Sequence, residues 1–182
     1  LPGVNLEACG ATVLTPAQAA LPKNTTEGDV PKIAISSGNR DHLEKVVDAM
    51  GITGYDCFKG LPASSATDTC MASRTLGDLV SNPNLLDQYG LLFVSCAVSN
   101  PFSPMSQDDS RAKNLRAWVE RGGKLVVTDD SYDFVEQTFP DAIDFQGAAA
   151  ASGRAQAVDA AEVGSAVDTV TGVVNDEGLA AW

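Results

Sequence analysis

The chain has 182 residues, of which 44% are hydrophobic and 20% charged, a size and composition that predict a folded domain and exclude disorder throughout. Its 12 basic and 24 acidic residues give a net charge of -12, which repels phosphates and therefore argues against nucleic acid as a partner. No apolar run reaches the roughly 18 residues needed to cross a bilayer, so we predict no transmembrane segment.

Residues 1–30 are rich in Ala, Pro, Thr and Asn and contain turn-formers at Pro22 and Gly28. We predict that they form an extended lead-in outside the core.

From Pro31 to residue 146, short apolar runs alternate with segments of helical periodicity, which indicates strands buried on both faces with helices packed over them. Because strands and helices alternate with right-handed crossovers, we predict an α/β domain with three layers, α/β/α, around a mainly parallel sheet. Leu43, Val46, Val47 and Met50 are predicted to share the buried face of the first helix. The predicted strands are 32–36, 55–58, 90–98 and 124–128, and the predicted helices are 40–50, 76–80, 110–121 and 132–138.

Residues 147–182 have a different character. Residues 147–161 are nearly all Ala, Gly and Ser with scattered polar residues, and residues 166–176 alternate like one or two exposed strands. Too few large apolar residues are present for a separate core. We predict a small-residue linker and a β tail.

The four cysteines are Cys9, Cys57, Cys70 and Cys96, and no two lie at the short spacing typical of a zinc site. Cys57 and Cys70 flank a polar loop, and a bridge between them would remove chain entropy worth on the order of 3 kcal/mol, so we predict this pair. Cys9 and Cys96 either pair or stay free. A disulfide favours an extracytoplasmic location: periplasm, cell surface or secreted.

Polar side chains follow the first and last predicted strands, at the sheet edge where open α/β folds bind ligands. They form a candidate ligand or cation site, with calcium as the candidate ion. The structural alternative is that Asp129 and Asp130 cap a helix and that Asn39 caps a turn. The candidate residues are Ser36, Ser37, Asn39, Asp129, Asp130 and Asp133.

Three segments carry a resemblance to a known family: DQYGLLFVSCAVSN at 87–100, NLRAWVERGGKLVVTDDSYDFVEQTFP at 114–140 and VTGVVNDEGLAAW at 170–182. They resemble the class I glutamine amidotransferase-like superfamily, and more narrowly its bacterial surface or lipoprotein-type members that lack the catalytic cysteine. The resemblance implies a flavodoxin-like fold. Members of the family often continue past the last of these segments with another strand, so the resemblance also implies a cut end at Trp182 and a truncated β tail. It places residues 127–131 over the family's Gly-x-Cys-x-Gly elbow, without the cysteine or either glycine. The family's late histidine is also missing, because His42 is the only histidine.

We therefore expect a non-catalytic extracytoplasmic module that binds a protein partner or assembles with itself. One alternative is a hydrolase or carbohydrate-acting enzyme that uses Asp129 or Asp130. A second alternative is a calcium-stabilised surface protein.

Overall fold

A computed structural model of the chain describes residues 11, 13–15, 20, 22–61, 70, 73–96, 106–143, 145, 147 and 153–161. Cys9, most of the predicted lead-in and the alternating segment 166–176 lie outside the described residues, so the predictions made for them stay predictions.

The described residues contain a parallel sheet of four strands in the order β2-β1-β3-β4. The strands are β1 (Ile33–Ser36), β2 (Tyr55–Phe58), β3 (Leu91–Val94) and β4 (Lys124–Val127). The helices are α1 (Leu43–Ala49), α2 (Leu76–Ser81), α3 (Pro83–Leu86), α4 (Ser110–Glu120) and α5 (Asp133–Glu136), and a single 3-10 turn covers Asp129–Ser131. None of these helices is long and apolar enough to cross a membrane.

Helices lie on both faces of the sheet, which confirms the three-layer α/β prediction. Successive residues of a strand point to opposite faces. Ala34 joins the larger core, which includes Leu79 of α2 and Leu115 of α4. Ile33 and Ile35 point the other way and join Val47 of α1 in a smaller core. The order of strands and the layers match a flavodoxin-like architecture.

The first helix buries fewer of its apolar residues than predicted. Val47 is buried, whereas Val46 and Met50 are 55% and 62% exposed, so the prediction of one shared buried face is wrong for these two residues. Only Leu43 and Val47, one turn apart, pack against the smaller core. The helix begins at Leu43, later than the predicted residue 40, and ends at Ala49.

Strand β3 is shorter than predicted. It ends at Val94 because the Ser95 N–H donates to the Ser36 hydroxyl (3.1 Å) and not to a backbone carbonyl of the ladder. Helix α3 was not predicted. The Asn82 side chain caps it by accepting from Leu85 N–H (3.2 Å), and Pro83 occupies its first position, where a missing N–H costs nothing.

The structure joins Cys57 to Cys70, as predicted, with 5.5 Å between their Cα atoms. Cys70 is buried, so the bridge anchors the far end of the loop to edge strand β2. Cys96 is buried and lies outside any disulfide.

Candidate functional site

The carboxyl edge of the sheet is closed by its own hydrogen bonds. Ser36 accepts the Ser95 N–H, and Ser37 accepts the Gly60 N–H at 2.9 Å. Both serine side chains are buried. Asn39 is exposed at its side chain, while its backbone N–H donates to the Cys96 carbonyl at 3.1 Å. Ser36 and Ser37 therefore support the loops and do not face a ligand.

Gly38 sets how closely the loop after β1 approaches the end of β3. A Cβ atom at this position would lie 2.2 Å from the Cys96 carbonyl oxygen and 2.8 Å from the Ser95 Cβ atom. Only glycine allows this close approach of two backbone segments. The loop and the strand end therefore form one packed unit.

Asp41 joins the ends of three strands, and sequence reasoning missed it. One carboxylate oxygen accepts the Cys96 N–H at 2.6 Å, and the other accepts the Thr128 hydroxyl at 2.5 Å. The carboxylate thus links the loop after β1 to the ends of β3 and β4. A signal was present: Asp41 follows β1 at the edge that parallel strands share.

Asp129 and Asp130 lie in the 3-10 turn after β4, and both are exposed. Neither this turn nor α5 has a side-chain cap, so the prediction that these two acids cap a helix is wrong. Asp129 has a φ of 43°, in the left-handed region that non-glycine residues seldom adopt. The Ser131 hydroxyl, which donates to the Ser95 carbonyl at 2.8 Å, holds the turn against β3.

Cys96 lies beside these acids as a weak nucleophile. Burial raises the pKa of its thiol, and the negative charges of Asp129, Asp130 and Asp41 raise it further. A hydrogen bond from the Asp130 backbone N–H lowers the pKa but does not outweigh burial. The reactive form of cysteine is the thiolate, so this thiol is suppressed at neutral pH.

Asp133 does not lie with Asp129 and Asp130. It is buried, and its two carboxylate oxygens accept the Gln137 side-chain amide at 3.1 Å and the Asp159 N–H at 2.8 Å. Burial raises the pKa of this carboxyl. Asp133 therefore holds residues 153–161, which we call the clasp, against α5.

The remaining ionisable candidates do not gather into a metal site. Among the described ranges, no group of three or more His, Cys, Asp or Glu side chains is placed to hold a metal ion. His42 lies at the start of α1 without capping it, and its Nδ1 atom is 3.1 Å from a Glu44 carboxylate oxygen.

Of the six candidate residues, the structure brings five to one edge, with only Asn39, Asp129 and Asp130 exposed there. The carboxylates of Asp129 and Asp130 are exposed to solvent, and the turn that carries them is held by hydrogen bonds. The buried serine side chains of this edge bond to backbone groups of the chain. No family model, curated protein or solved structure matches the chain.

Proposed function

We propose that this chain is a non-catalytic extracytoplasmic module for binding or assembly, built on a scaffold that resembles a degenerate amidotransferase-like domain. One observation carries the proposal: both carboxylate oxygens of Asp41 are occupied in holding the carboxyl edge together. A general base must lie within hydrogen-bond reach of the substrate proton, whereas both Asp41 oxygens are directed at the groups of the chain that they bind. The best-placed acid at the edge therefore serves as a structural bridge.

The exposed acids suit recognition by contact with another protein. Asp129 and Asp130 project from a turn that is fixed to β3, so little backbone conformational entropy is lost when a partner binds them. The net charge of -12 favours a partner surface rich in Lys and Arg. The Cys57–Cys70 bridge supports an oxidising compartment, in agreement with an extracytoplasmic location.

A second candidate is a hydrolase or carbohydrate-acting enzyme, and the backbone of Asp129 favours it. Its positive φ lies at the turn between a strand and a helical segment, and in α/β hydrolases a strained turn of this kind exposes the nucleophile. Backbone strain at a turn is also common where function needs a projecting side chain. An exposed carboxylate there would act as the nucleophile or the base.

Two measurements on the same variants distinguish the candidates. The first is the oligomeric mass from light scattering during size exclusion, for the unmodified chain, for Asp129→Asn/Asp130→Asn, and for Glu120→Gln. Glu120 is an exposed acid at the far end of α4 and serves as the control. The proposal expects an assembly, alone or with co-purified protein, that the double variant weakens and the control retains.

The second measurement is hydrolysis of p-nitrophenyl esters and glycosides. The proposal expects no turnover above the uncatalysed rate. Turnover that disappears in the double variant but persists in Glu120→Gln would replace the binding proposal by the enzymatic one. A strictly monomeric chain that co-purifies with no partner would contradict the assembly.

A further inference from the structure

Two adjoining cavities lie beside edge strand β2, away from the acids of the carboxyl edge. Their volumes are about 450 Å³ and 640 Å³, and Arg74 lines both. Small-molecule sites in proteins commonly have volumes of roughly 300–1,000 Å³. We call the combined feature the Arg74 groove. Its other lining residues include Tyr55, Asp56, Ser73, Asn84 and Gln88.

Arg74 is an exposed cation whose side chain bonds to no other described residue. The two acids near it are already engaged. Asp56 accepts the Tyr89 hydroxyl at 2.6 Å and forms an ion pair with Lys32 at 2.9 Å. Asp78 accepts both the backbone N–H and the hydroxyl of Thr75, at 2.9 Å and 2.7 Å. All of these bonds use the Oδ2 atoms, and among the described residues neither acid bonds to the Arg74 side chain, so the guanidinium donors remain available to a ligand.

The local charge of the groove differs from that of the whole chain. The charged lining residues are Arg74, Asp56 and Asp78, and Asp56 is paired with the neighbouring Lys32, so the local charge is close to zero. Charges beyond about 8–10 Å are largely screened at physiological salt. An anionic ligand therefore meets little of the repulsion implied by the net charge of -12.

The rest of the lining suits hydroxyl groups and a ring. The side-chain amides of Asn84 and Gln88 can donate and accept, which matches hydroxyls that do both. The Gln88 amide nitrogen already donates to the Asn84 backbone carbonyl at 3.5 Å, and its second N–H and its oxygen remain for a ligand. Asn82 also lines the groove, but its side-chain oxygen already caps α3. At the other end, the Tyr55 ring offers an apolar face beside the disulfide residue Cys57.

We propose that the Arg74 groove binds a saccharide that carries a carboxylate, a uronic acid unit. The guanidinium takes the carboxylate through two parallel hydrogen bonds, while Asn84 and Gln88 take ring hydroxyls. This site is separate from the carboxyl edge and does not depend on the function proposed there.

The test is an NMR titration of the isotope-labelled chain with glucuronate at neutral pH. We expect saturable shifts at Arg74 and at the side-chain amides of Asn84 and Gln88. Arg74→Gln should weaken binding by about tenfold or more, because a charge-assisted bidentate pair is lost. Arg40→Gln, at another exposed arginine without a described partner, should leave the affinity unchanged.

Matched ligands test recognition of the carboxylate and recognition of the sugar separately. Glucose lacks the carboxylate and should bind at least about tenfold more weakly than glucuronate. Acetate and a short peptide with a free carboxyl end lack the sugar, and equal affinity for either would overturn the saccharide assignment. Equal weakening by Arg74→Gln and Arg40→Gln, or no shifts with millimolar glucuronate, would overturn the site. Gln88→Ala provides a second variant, with a loss expected for glucuronate but not for acetate.

Discussion

Replacing Gly38 with alanine should push the loop after β1 away from the end of β3 and lower the stability of the fold. The new Cβ atom would start 2.2 Å from the Cys96 carbonyl oxygen, and that separation must grow to at least 3.4 Å for an ordinary contact. The obstacle is backbone, so no side-chain rotation relieves it. The required shift also strains two hydrogen bonds, from Asn39 N–H to the Cys96 carbonyl and from Cys96 N–H to Asp41.

The expected cost combines overpacking, about 1–3 kcal/mol, with loss of about 1 kcal/mol for each disrupted hydrogen bond. We therefore expect the free energy of unfolding to fall by about 2–4 kcal/mol and Tm by about 5–15 °C. Urea and thermal unfolding followed by circular dichroism measure both. Gly54→Ala is the control, because a Cβ atom there meets nothing within 4 Å. Equal unfolding midpoints for Gly38→Ala and Gly54→Ala would refute the close packing of this edge.

Three further perturbations probe the other contacts. Asp41→Asn should lower the free energy of unfolding by about 1–3 kcal/mol, because the bond to the Thr128 hydroxyl loses its charged acceptor and the hydroxyl must turn to accept from the new amide. In a double-mutant cycle its cost should overlap that of Thr128→Val, and strictly additive costs would contradict the bridge. Burial raises the pKa of Asp133 above 3.8, which means that the ionised carboxylate lowers the free energy of unfolding at neutral pH. This cost disappears as the pH falls through the raised pKa and the carboxylate is protonated. Denaturant titrations from neutral pH to about pH 4 should therefore show the unmodified chain gaining stability relative to Asp133→Asn, and a difference independent of pH would count against this. Cys57→Ser/Cys70→Ser should cost about 3 kcal/mol in urea unfolding, and unchanged stability would show that the loop is held by other contacts.

The fold could be predicted because its signals are local. Short apolar runs predicted the four strands that the described residues contain, and helical periodicity predicted the longer helices between them. The polar loop between Cys57 and Cys70 predicted the disulfide. Helix α3 was missed because one turn is too short to show a period. Its only signals were a capping Asn82 and Pro83 at the first position.

The site was harder to predict because its contacts are distant along the chain. Asp41 bonds to residues 55 and 87 positions away, and no spacing pattern encodes such a pairing. For Asp129 and Asp130, an acid after a strand fits both a cap and a projecting turn, and the two are separated only by the structure, through the missing side-chain cap bonds and the backbone angle of Asp129. The partner of Asp133 is a backbone N–H of the clasp, and a backbone group leaves no trace in the sequence.

The clasp has a consequence for how this chain can diverge. The side chains of Gln137, Asp133 and Tyr132 bind the clasp through backbone groups, namely the carbonyl of residue 156 and the N–H groups of residues 159 and 161. Every amino acid except proline supplies those groups. Mutational drift can therefore rewrite the side chain at 161 while the bond persists, whereas position 159, with a φ of 58°, favours residues that tolerate the left-handed region. Each change in the three holding residues removes one bond. Natural variation should therefore be wider at residue 161 of the clasp than at Gln137, Asp133 and Tyr132.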